Sequence, residues 1–340
     1  MRFIFAIQLF LICTLLQACS SNNIDFEQNQ NLEIMLVSST GQPLEQVSGL
    51  TNINGYLIFV AQKQNKLFYI DTDSALIAMR LKLKSLALKE LPFTGALPEE
   101  ASWEAITIAK INEQYRLFLS YEHLGHEVQG SFHKIFSSEL QFKNRMPILG
   151  RLKPYSKSLP INAHLDVALA ERTNFGYEAI TWLASKNALL ALPELEGQEA
   201  LLIEEGGHAK TLGKLRHGLR ISDLGEIQGE RCLMAISFCY QADPVCQTND
   251  GVSRLSLASL WVKSDHLAIT DVYDISEQYL DIEALNNNSV GVYNGEGLTF
   301  DENILFMIND NKPGKGVGSV LRTLALPQPF ASRCTDSPTS

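Results

Sequence analysis

Tyr177-Glu178-Ala179-Ile180-Thr181-Trp182, a polar turn through Ser185-Lys186-Asn187, then Leu189-Leu190-Ala191-Leu192-Pro193-Glu194: this stretch is one copy of a pattern that recurs along the chain. A glutamate, a small residue and an aliphatic one open it, and a second hydrophobic run closes it on an acid. Trp103-Glu104-Ala105-Ile106 leads in the same way to Arg116–Glu122, and Gly295-Glu296-Gly297-Leu298 leads to Ile304–Asp310. Two looser copies fit the frame. Ser48-Gly49-Leu50 passes through an Asn54-Gly55 turn to Tyr56–Gln62, and Ser222-Asp223-Leu224 leads to Cys232–Ser237. Short apolar runs joined by Asn-Gly and other Asn, Asp or Gly turns are hairpin signals.

The copies begin at residues 48, 104, 178, 222 and 296, giving intervals of 56, 74, 44 and 74 residues. Each interval holds about four short strands, the content of a propeller blade. The expected fold is therefore all-β: a single closed β-propeller of five blades, with room in the two long intervals for a sixth. The last copy lacks a fourth strand, and Leu32–Ser38 forms a strand unclaimed by any copy. The N-terminal strand completing the last blade would close the ring and remove its open edges. A two-sheet sandwich also uses many short strands, but gives no reason for glutamates to recur at the start of each unit. Stretches of 3.6-residue period are scarce, Glu194–Glu204 being the nearest to one.

Ahead of the repeats, Arg2 and the apolar run Phe3–Leu16 precede Leu16-Gln17-Ala18-Cys19. The run is too short to span a membrane as a helix. The Leu-x-Ala-Cys ending resembles a bacterial lipobox, which would make residues 1–18 a lipoprotein signal and Cys19 the lipidated N-terminus. An ordinary secretory signal is the alternative. Serine at position 20 points to the outer membrane, with the protein on its periplasmic or surface face. Residues 19–31 read as lipidated cysteine and polar tether, 32–328 as the propeller and 329–340 as a tail. Without Arg2 the mature chain carries 27 basic and 38 acidic residues, net −11. That balance speaks against nucleic acid as a partner and against nonspecific attraction to anionic lipid.

Beyond Cys13 and Cys19, the cysteines are Cys232, Cys239, Cys246 and Cys334. An even number in an oxidising compartment reads as disulfides, with Cys239–Cys246 and Cys232–Cys334 one possible pairing; zinc is the competing reading.

In a propeller the first strand of each blade lines the central channel, so Glu104, Glu178 and Glu296 are expected around one mouth. Ser48 and either Ser222 or Asp223 occupy the matching places. The second strands end nearby in Gln62, Glu122, Glu194 and Asp310. An all-oxygen donor set suits calcium ahead of zinc or copper. Hydrogen bonds that lock neighbouring blades together are the alternative role for these acids. Lys312 and Lys315, beside Asp310, could neutralise an anionic substrate. His123, His126 and His133 read as loop residues that could bind a transition metal. Gly314–Ser319 lacks Walker spacing, and no Gly-x-Ser-x-Gly elbow occurs.

The Ser-Gly-Leu, Glu-Ala-Ile and Glu-Gly-Leu openings, with Ser-Tyr-Glu and Asn-Asp endings, resemble the phytase-like ("esterase-like activity of phytase") and SdiA-regulated families of secreted β-propellers. The similarity spans most of residues 44–327. It implies a propeller, calcium at channel-mouth acids and phosphoester hydrolysis. In such an enzyme one of Glu104, Glu178 and Glu296 would position water while Lys312 or Lys315 offsets charge. Two copies lack the glutamate, and no residues match a phosphate clamp. The other function class is a non-catalytic, membrane-anchored propeller that binds an unidentified protein or small molecule, with a calcium site at the channel mouth or the glutamates themselves in a structural role, and the sequence leans that way.

Overall fold

The computed structural model describes residues 32–62, 66–94, 101–123, 132–156, 159–160, 177–193, 199–214, 220–227, 232–239, 254–262, 267–275, 295–301, 304–309 and 318–325. Residues 31–340 cluster as one compact unit. They form five blades, antiparallel throughout except for the short edge strand Ser85–Ala87, which pairs in parallel with Leu32–Val37 on the outside of blade five.

Blade one comprises Val47–Ile53, Tyr56–Ala61, Lys66–Asp71 and Lys89–Leu91. Blade two comprises Ala101–Ile111, Gln114–His123, Phe132–Lys143 and Met146–Leu149, with two short strands added along its third. Blade three runs Ala179–Leu183, Ala188–Leu192, Glu199–Glu204 and Ala209–Lys214. Blade four runs Ile221–Ile227, Cys232–Cys239, Arg254–Val262 and Leu267–Asp274. Blade five takes Gly295–Asp301, Ile304–Asn309 and Val320–Ala325 from the end of the chain and Leu32–Val37 from its beginning. The N-terminal strand thus supplies the missing fourth strand. The first strands of successive blades pack side by side, and that of blade five packs against that of blade one. Among the described residues of the first long interval, blade two gains two short strands that pair along its third strand.

The middle strands are buried on both faces, which is why they read as unbroken apolar runs. Leu57 through Ala61 are wholly inaccessible, as are Leu189 through Leu192. Alternation then divides each strand between two interblade layers. Leu117 and Leu119 face blade one with Ile58, Val60 and Trp103. Phe118 faces blade three and stacks on Trp182, ring centroids 5.5 Å apart and planes 9° from parallel. Trp103 packs edge-to-face with both Tyr121 and Phe136. Aromatic pairs of this kind add about 1 kcal/mol each to the burial of their area.

Glu199–Glu204 is a strand, contrary to the helical hint in its sequence. The helix lies instead at Thr72–Arg80, inserted between the third and fourth strands of blade one. Asp71 caps it by accepting the Ser74 N–H at 2.9 Å. Ala75, Leu76 and Met79 form its buried stripe. Two turns of helix carry too few apolar repeats for period alone to reveal them.

Candidate functional site

Four of the five inner strands break register with their neighbours at the same place. The pairing slips between Val47 and Gly49, Trp103 and Ala105, Ile221 and Asp223, and Gly295 and Gly297. The extra residue in each case is Ser48, Glu104, Ser222 or Glu296. In blade three the ladder starts at Ala179, directly after Glu178. A bulge takes its residue out of the ladder and re-aims its side chain. The repeated Glu or Ser is therefore the bulge residue, and Ser222 rather than Asp223 is the fourth-blade equivalent of the glutamates.

Serine hydroxyls around these bulges tie blade to blade. Ser48 Oγ donates to the Trp103 carbonyl at 2.5 Å, Ser120 Oγ to that of Tyr177 at 2.6 Å, and Ser222 Oγ to that of Gly295 at 2.5 Å. Each acceptor immediately precedes the glutamate of the next blade. Between blades five and one, the Val47 N–H donates to Ser319 Oγ at 3.3 Å, and Val47 immediately precedes Ser48. Four of the five junctions thus use a serine against the same residue position, three at its carbonyl and the fifth-to-first at its N–H. Sequence reading misses this belt, since serine at a hairpin end looks like any turn residue.

The glutamates are inside the ring rather than open at its mouth: Glu104 is 4 % exposed, Glu178 3 % and Glu296 8 %. Burying a carboxylate is costly unless hydrogen bonds replace its water. For Glu104 the donor comes from blade one, where Gln62 Nε2 reaches Oε1 at 2.7 Å and Oε2 at 2.9 Å. Asp223 is fully inaccessible. Its Oδ2 accepts the Leu298 N–H of blade five at 2.7 Å. Burial pushes its carboxyl well above the usual carboxylate range, against the opposing effect of the Leu298 and Leu224 N–H groups.

Among the described residues, no three Asp, Glu, His or Cys side chains gather closely enough to hold a metal ion. Glu104, Glu178 and Glu296 are among those residues. Cys19, Glu194, Cys246, Asp310, Lys312, Lys315, Cys334 and His126 lie outside the described residues, and so do the side chains of Glu122, His123, His133, Cys232 and Cys239. The last two cysteines begin and end a single eight-residue strand. At ~3.3 Å per residue they stand ~23 Å apart, which rules out a bond between them.

No protein-family model matches the chain, and no curated protein matches its sequence. Its fold resembles several solved structures. A GH43 β-1,3-galactosidase with bound galactodeoxynojirimycin aligns at 10 % identity and a TM-score of 0.46 over 86 % of this chain and 93 % of the other. An α-L-arabinofuranosidase from Lactobacillus brevis aligns at 9 % and 0.45 over 84 % and 94 %. A chain of the mitotic checkpoint complex aligns at 9 % and 0.37 over 90 % and 95 %. At this distance the likeness concerns the fold alone. The strand pairing defines the class: a five-bladed, all-β propeller completed by its N-terminal strand.

Proposed function

We propose that this protein is a non-catalytic binding propeller, held at the bacterial outer membrane by a lipid on Cys19. Its repeated glutamates order the ring. Its ligand is a protein or small molecule bound on a propeller face. The observation that carries this reading is the burial of Glu104, Glu178 and Glu296 together with the Gln62 amide spanning both oxygens of Glu104. A general base or nucleophile must reach its substrate, whereas a carboxylate fixed in this way serves as a rigid acceptor. The resemblance to phytase-like propellers supports the architecture. A calcium-dependent phosphoester hydrolase would have to draw on Glu122, Glu194, Asp310, Lys312 and Lys315.

The test is turnover by the lipid-free mature chain, with and without calcium, on aryl phosphate mono- and diesters. The expected result is no turnover above the protein-free blank. Calcium-dependent turnover that Glu178→Gln abolishes would overturn the reading and establish the hydrolase.

A further inference from the structure

The inserted helix and the turn after it carry an unusual surface. Thr72, Ala75, Leu76, Ala78 and Met79 bury one side of the helix. Ile77 is 55 % exposed, and Leu81 and Leu83 in the turn are 67 % and 49 % exposed. These are three of the six large hydrophobic side chains exposed among the described residues. Basic residues alternate with them: Arg80, Lys82 and Lys84 are all exposed, and no acid occurs between Asp73 and Glu90. The overall acidity of the chain is thus reversed here. Glu33, on the neighbouring strand, is paired with Arg322 at 2.8 Å.

The turn holds a defined shape. Leu81, Lys82 and Leu83 donate their N–H groups to Ile77, Met79 and Ala78, and Lys82 takes the left-handed φ of 52° that the reversal needs. Directly after it, Ser85–Ala87 pairs in parallel with the N-terminal strand, Met35 opposite Ser85. The two strands run in parallel, so the turn before Ser85 and residues Leu32–Ile34 before Met35 lead into the pair from the same end. The apolar and basic segment sits at the end of blade five where the chain enters from Cys19. Twelve residues, 20–31, separate Cys19 from Leu32, a reach of ~40 Å at full extension.

We infer that residues 77–84 form a membrane-docking edge that seats on the anionic surface of the leaflet holding the Cys19 lipid. The inference rests on the lipid-anchored reading above. Leucines flanked by lysines suit a headgroup boundary, where apolar tips enter and cations meet anionic lipid. The short tether keeps the edge at high effective concentration near that surface. Docking there would orient the propeller and leave its far face open to a partner.

Two measurements test it. The chain lacking residues 1–19, which keeps the whole described fold, is sedimented with vesicles of phosphatidylethanolamine and phosphatidylglycerol, and separately with phosphatidylcholine. The expected result is salt-sensitive preference for the anionic vesicles. It should fall about fivefold with each of Lys82→Gln and Lys84→Gln and vanish in Leu81→Asp/Leu83→Asp, with melting unchanged. Equal binding to both vesicles, or no binding to either, would overturn the edge. Full-length protein in membranes separates edge from anchor. Loss of membrane partition in Cys19→Ala supports the anchor, and protection of Leu81 and Leu83 from hydroxyl-radical labelling supports the edge. An anchored protein with both leucines fully labelled overturns the edge alone. A full-length protein that never partitions overturns the anchor, and with it the edge.

Discussion

Gly49, at the junction of blades one and two, lies where an added Cβ would come within 3.0 Å of the Ile106 backbone nitrogen. At the junction of blades four and five the same register position is Asp223, and its carboxylate accepts the N–H of Leu298, the counterpart of Ile106. The fifth-to-first junction follows the glycine pattern, since a Cβ on Gly297 would sit 2.9 Å from the Leu50 nitrogen. Blade four moves its close approach two residues on, to Gly225, where a Cβ would meet Leu298 Cδ1 at 2.7 Å. The ring can thus be closed by direct backbone approach or by a buried acid that spans the gap. The second solution carries an electrostatic cost, because Asp223 Oδ1 has no hydrogen-bond partner among the described residues.

Gly49→Val should have the largest effect. It drives a branched side chain into the Ile106 backbone and should cost about 3 kcal/mol in urea unfolding. A change under about 1 kcal/mol would mean that the first junction has slack and that the contrast with Asp223 is unreal. Asp223→Ala should cost about 2 kcal/mol, since it leaves the Leu298 N–H buried without its acceptor. Equal or greater stability would show the carboxylate to be a burden rather than a strut. Ser48→Ala and Ser222→Ala remove equivalent interblade bonds and should each cost about 1 kcal/mol. Unequal losses would mean that the two junctions differ in more than the residue after the bulge.

The smallest effect, and the most diagnostic of Asp223, is on pH dependence. Its folded pKa is raised above the unfolded value, so between the two the unfolded chain releases a proton that the folded chain keeps. The contribution of this group to stability is greatest at and below about pH 4 and falls as pH rises toward the folded pKa. Asp223→Asn, which retains an oxygen acceptor and cannot ionise, should remove that slope. A variant with the wild-type pH profile would place the titration elsewhere.

Blade phase is legible in the sequence because Glu-Ala-Ile and Glu-Gly-Leu mark one backbone position, and because Leu32–Ser38 and the short last copy are complementary halves of one blade. The bulges are not legible. A register slip adds no unusual residue, and Ser222-Asp223 reads equally well in either frame until pairing shows Ser222 to be the extra residue. Gln62 could be named as a neighbour of the acids from its place at the end of a strand. Its donation to Glu104 depends on how adjacent blades pack, which no local pattern encodes. The exposed Leu81 and Leu83 are likewise hidden in sequence, where leucine alternating with lysine reads as an ordinary strand with one buried face.

The most direct test of the central claim, that the repeated glutamates are structural acceptors, is a thermal melt of residues 20–340. The protein is stripped with EDTA and titrated with calcium, beside Glu104→Gln. The account expects Glu104→Gln to melt a few degrees lower, about 1–2 kcal/mol for a weakened charge-assisted bond to Gln62, and wild-type melting to be indifferent to calcium. A calcium-specific rise in the wild-type Tm that disappears in Glu104→Gln would contradict it and make these acids a metal site.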